Sequence, residues 1–287
     1  MPFIWTHILF SEEVIDASNH PYSNYDQFMK LGAQGPCLFM HYNLWWKKKD
    51  PLYFISKDLY TNHYTEFITD LILGAKDKEK PVQAFVMGQV THFILNRNVF
   101  PYIHYYANKE DNSFERMEIM IDAMLMDKCY NIKTWKNKIY KEIDVGNKLH
   151  EEITNLLTQI FKKYYPEFSL APPNYLEKAY RDLKLSLKLL SDPYGWKSIL
   201  LKPFRSLTVY GPIRTKKDYL NLKKNSWYNA ETKQSSNQSF LDLYQKSRTE
   251  GVELTTLIQK FWKGKTNLSR QTLHAILMNH SYAHAMD

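Results

Sequence analysis

Apolar residues return every three or four positions through most of this chain, and that period admits little besides packed α-helices. In KDLYTNHYTEFITDLILGAK it puts Leu59, His63, Phe67 and Leu71 on one stripe with polar groups opposite, Asp58 in the first turn and Gly74 as a stop. PVQAFVMGQVTHFILNRNVF opens with Pro81 and is apolar nearly all round, which predicts a central helix that breaks at Pro101. FERMEIMIDAMLMDK is amphipathic with its methionines inside. GNKLHEEITNLLTQIFKKYYP and PPNYLEKAYRDLKLSLKLLSDP read as helices bounded by Gly146, Pro166, Pro172 and Pro193. NQSFLDLYQKSRTEGVELTTLIQKFWKG reads as a long helix near the C-terminus. Alternating patterns are scarce, SLTVYGP being the best and a weak one. Residues 203–237, rich in Lys, Asn, Ser and Thr, read as a surface excursion between helices. The expectation is one all-α domain over residues 1–287.

A chain of this length can bury a large core without cross-links, and its only cysteines, Cys37 and Cys129, make no disulfide framework. MPFIWTHILFSEE lacks a basic leader and a small-residue cleavage site, and FVMGQVTHFIL is too short and too polar to span a bilayer. These features predict a soluble, cytoplasmic protein. The formal net charge of +8 favours anionic partners, yet no nucleic-acid-binding motif stands beside the aromatic residues. No Ser-His-Asp order, P-loop or glycine-rich nucleotide fingerprint occurs, and nine glycines leave little room for one.

The stretch THFILNRNVFPYIHYY raises the question of chemistry, because His92, Asn96 and Phe100 follow one another at one-turn spacing on a single helix face. Together with THILF near the N-terminus, LGAQGP at 31–36, the His63 helix and FERMEIMID at 114–122, it resembles the zinc-dependent phospholipase C family, whose fold is shared with fungal single-strand nucleases. LNLKKNSWYN and NQSFLDLYQKS resemble the second half of intracellular bacterial members, so the resemblance covers nearly the whole chain. It implies a mostly helical protein holding three metals in a cleft, where clustered zinc ions acidify a water and neutralise charge on a phosphodiester.

Residue by residue the resemblance keeps part of that ligand set. His7 falls on an early histidine, His63 and His92 on the two histidines of the first metal, and Glu118 on the acid of the second. Cys37 replaces an aspartate, Asn96 stands where a bridging aspartate would be, and Phe100 and Phe114 replace the second metal's histidines. Two phenylalanines cannot coordinate, and a neutral asparagine binds zinc poorly, so the second and third metals are expected to be absent. The first position stays open between a single zinc held by Cys37, His63 and His92, with Asn96 a weak neighbour, and no metal at all. A buried free cysteine is commonly only a small hydrophobe.

Two functional expectations follow. One is a binding protein that keeps the cleft for an anionic phosphate-bearing ligand or lipid headgroup after its metal centre has decayed. The other is a phosphodiester hydrolase with one zinc, in which Glu118 serves as base. Attraction to anionic membrane surfaces rests on charge alone. His41 and His104 lie near the matched segments and are expected at the rim, His104 pointing away from the His92 face. His274, His280 and His284 lie in a terminal tail. Asp122, one turn after Glu118, is expected to serve structure.

Overall fold

A computed structural model describes residues 4–19, 22–42, 51–109, 114–190, 215, 217–230 and 232–278. The chain is mostly helical. Its axis is α5 (Lys80–Lys109), whose 30 residues make a rod of about 45 Å. From Val82 to Leu95 nearly every residue of α5 is buried, as its apolar circumference requires. Around it pack α1 (Ile4–Ala17), α2 (Asp26–Gly32), α4 (Tyr64–Gly74), α6 (Phe114–Tyr130), α7 (Glu151–Tyr164) and α9 (Phe240–Trp262). A 3-10 helix (Gly35–His41) follows α2, and α3 (Pro51–Asp58) and α8 (Tyr175–Leu190) both lie against it. The last helix described, α10 (Arg270–Met278), packs on α4.

Pro101 does not end α5, contrary to the sequence expectation; the helix runs on for two further turns. A proline inside a helix loses one backbone hydrogen bond and costs about 3 kcal/mol. Burial beyond it offsets that cost. Tyr102, wholly buried, donates its hydroxyl to the Tyr219 carbonyl at 2.9 Å and meets the Trp227 ring edge-on at 5.5 Å.

That contact also places part of the expected excursion. Tyr219, Leu220 and Trp227 are buried, and β1 (Trp227–Asn229) pairs antiparallel with β2 (Gln234–Ser236) in a small hairpin. SLTVYGP falls outside the described residues. Ser239 and Asp242 then close a capping box that starts α9. Among the described residues, no helix is long and apolar enough to cross a membrane.

Candidate functional site

The site begins with two glycines. A Cβ on Gly32 would fall 2.0 Å from the Phe85 carbonyl oxygen, and one on Gly88 2.0 Å from that of Met29. Only glycine lets α2 and α5 meet backbone to backbone at these points. The approach brings the carbonyl of Ala33, just past α2, within 2.8 Å of His92 Nδ1 on α5. Gly35 then turns the chain with φ +58°, lying so flat against the His92 ring that a Cβ would sit 2.3–2.6 Å from it.

The Ala33 contact decides the chemistry of the imidazole. A carbonyl can only accept, so Nδ1 carries the proton and Nε2 carries the lone pair. Two donors meet that lone pair. Asn96 Nδ2, one turn along α5, lies 2.7 Å away, and the Tyr60 hydroxyl lies at 2.9 Å. Asn96 turns its amide nitrogen to His92, and its side chain also accepts a hydrogen bond from His7. His7, on α1, stacks on His92 with ring centroids 4.1 Å apart and planes 23° from parallel. Its helix is held in place by Asp122 of α6, which is fully buried and accepts from the Thr6 backbone N–H and hydroxyl at 2.7 and 2.6 Å.

Burial pushes His92, His7 and Cys37 alike toward their neutral forms. Burial lowers His92 to about 4, against a smaller upward pull from its Ala33 hydrogen bond. Burial, then the neighbouring His92, hold His7 well below the ordinary imidazole range. Burial raises the Cys37 thiol; the Tyr60 hydroxyl 3.1 Å from its sulfur works against this, and the Glu118 carboxylate adds to it. The result is an ordered run from the Cys37 thiol through Tyr60 to His92 Nε2, joined there by the Asn96 amide.

The structure therefore gathers His7, Cys37, His92 and Asn96, and the Glu118 charge adds to the upward shift of the Cys37 thiol. It does not bring in His63. That ring stacks on Tyr164 at 5.3 Å and meets Tyr165 edge-on at 6.0 Å. The cause is a π-helical turn over Leu59–His63, which presents Tyr60 and Tyr64 to His92 instead, with ring centroids 6.1 and 6.4 Å from it. Phe100 and Phe114 lie 5.2 Å apart and pack on the core, and His104 stacks on Phe100 at 5.9 Å. His41 ends the 3-10 helix, and His274 lies 3.5 Å from Glu66. His280 and His284 fall outside the described residues.

Among the described residues, no three His, Cys, Asp or Glu side chains converge as a metal ion would need. As arranged, His92 does not fit zinc, because amide and hydroxyl donors face its Nε2 lone pair. Tyr60, the Ala33 carbonyl and Gly35 are the participants that sequence reasoning missed. Comparison with family models, with curated proteins and with solved structures returned no match.

Proposed function

We propose that this protein is a phospholipase C-like binding protein in which hydrogen bonds have taken over the positions of the metal centre, and that it holds an anionic phosphate-bearing ligand without hydrolysing it. The observation that carries the proposal is the Nε2 lone pair of His92, met by Asn96 at 2.7 Å and Tyr60 at 2.9 Å. A histidine posed with Nδ1 on a backbone carbonyl is oriented as metal ligands are. Here that orientation serves an amide. The helical architecture supports the family reading, and the net charge of +8 supports an anionic ligand. An intracellular setting with reduced cysteines belongs to the same reading.

Calorimetry with a soluble glycerophosphodiester tests it, alongside a turnover assay with and without added zinc. Binding that weakens with salt, and no hydrolysis in either condition, is the expected result. Hydrolysis that appears when zinc is added would overturn the reading.

A second reading, a hydrolase with one zinc held by Cys37, His63 and His92, draws on one observation. Cys37 lies a single hydroxyl away from His92. It also requires His63 to leave Tyr164 and Tyr60 to withdraw. Replacing Cys37 with Ala would then abolish both bound zinc and turnover, and activity retained in that variant removes this reading.

A further inference from the structure

Few apolar side chains hold α10 to the bundle. Of its nine residues only Leu273 and Leu277 are buried, and an isolated helix of that length is marginal in water. Trp262, at the end of α9, is fixed to α4 by its indole N–H on the Ile72 carbonyl at 2.8 Å. Beyond it the chain is sparsely packed. Gly264 takes φ +69° with nothing within 4 Å of where a Cβ would stand, and most of residues 263–269 are exposed. Two polar contacts also seat α10, following in reverse order along the two helices. Arg270 donates from Nε to Asp70 at 3.0 Å, and His274, one turn on, lies 3.5 Å from Glu66, one turn before Asp70. Arg270 stands at the helix start, where the macrodipole disfavours a cation, so its place there serves the contact with Asp70 and not the helix.

Asp70 passes this docking inward. Its carboxylate, 11% exposed, also accepts from Lys163 and from the Tyr164 hydroxyl at 2.6 Å, and Arg270 reaches that same hydroxyl at 3.1 Å. Burial works to raise Asp70, but these hydrogen bonds outweigh it and hold its carboxyl below the ordinary range. Tyr164 carries the stacked ring of His63, the last residue of the π-turn. Tyr165 grips the other end, donating to Asp58 at 2.9 Å just before Leu59. Between the two grips stands Tyr60, whose hydroxyl meets His92. A π-turn is rare, occurs mostly as a single turn within an α-helix, and frequently marks a functional site. We propose that α10 is a detachable strap: docked, it keeps the π-turn in place through Asp70 and Tyr164, and released, it lets Tyr60 withdraw from His92. The charged contacts lie away from the histidine and reach it only through the tyrosines. The proposal rests on the Tyr60–His92 contact and not on which ligand the protein holds.

Amide hydrogen exchange on the full chain, read segment by segment beside the nitrogen resonances of His92, tests it. In the wild type, the amides of α10 should exchange faster than those of α4 and α9. Arg270→Gln with His274→Gln removes both polar contacts and leaves every buried residue in place. That variant should speed exchange in α10 by roughly tenfold and speed it at residues 59–63 as well. It should also move His92 Nε2 in the direction that Tyr60→Phe moves it. Arg270→Lys, which keeps a cation beside Asp70, should fall between the two. Arg248→Gln removes another partly exposed arginine, one 3.6 Å from Glu13, and should leave the π-turn and Nε2 unchanged. The proposal is overturned if α10 exchanges no faster than α9 in the wild type, or if the double variant loosens α10 while residues 59–63 and Nε2 stay as they were. It is equally overturned if Arg248→Gln reproduces the change, which would mark a general loss of stability. Glycerophosphodiester binding enters none of these readouts, so a failure of the ligand reading and a failure of the strap are told apart.

Discussion

His92 links backbone packing to protonation. Its ordinary value of 6.5 drops to about 4 in the folded chain. Between those values the unfolded chain binds a proton that the native one refuses, so stability is full above about pH 6.5 and falls as pH drops toward 4. A shift of this size corresponds to roughly 3 kcal/mol. His7, lowered in the same direction, adds to the slope. Denaturant titrations across this range should show the loss, and His92→Gln should flatten the curve; an unchanged slope in that variant would contradict the assignment. Gly35→Ala has a steric prediction instead. With φ +58° and the ring of His92 within 2.6 Å of the new methyl, it should cost about 2–4 kcal/mol in the same titration. At this scale much of the site was legible in the sequence. His92 and Asn96 declare their shared face by spacing, whereas His7 and Cys37 were singled out only through the family resemblance. The Ala33 carbonyl was not legible, because a backbone acceptor leaves no trace in residue type.

Among the elements, the π-turn at Leu59–His63 decides which side chain reaches the histidine. Residues 59, 63, 67 and 71 keep a one-turn spacing, but so do 60 and 64, and both sets are largely apolar or aromatic. Periodicity could not choose between them. A single added residue in a turn swings the side chains around the axis and carries no compositional mark. Tyr60→Phe should remove its hydrogen bonds to Cys37 and His92 while keeping the ring, costing about 1–3 kcal/mol. The histidine nitrogen resonances should report the change: Nδ1 stays protonated, and Nε2 shifts as one donor leaves. No shift at Nε2 would mean that Tyr60 does not serve it. The course of α5 through Pro101 was hidden for a related reason. Local chemistry argues for a break, and only the burial of Tyr102 against Tyr219 and Trp227 shows what offsets it.

Across the molecule, the charges holding the helices together do their work away from the site. Lys30 of α2, with its side chain only 10% exposed, meets Glu12 of α1 at 2.7 Å, Asp26 at 2.7 Å and Glu142 at 3.0 Å. Three carboxylates share one ammonium. Lys30→Met should therefore cost about 2–3 kcal/mol near pH 7, tempered by the partial exposure of the acids, and less at lower pH as Glu12, whose carboxyl burial pushes up, takes up its proton. A variant as stable as the wild type at pH 7 would show the cluster to be ornamental to the fold. The mostly helical class was readable from periodicity through most of the chain, because a 3.6-residue pattern repeated through long segments leaves few alternatives. The resemblance to a zinc enzyme turns on whether donors inside the bundle face ions or one another. Elemental analysis of exhaustively dialysed protein measures that most directly. The hydrogen-bonded arrangement predicts no stoichiometric zinc, and two or three tightly held ions per chain would contradict it.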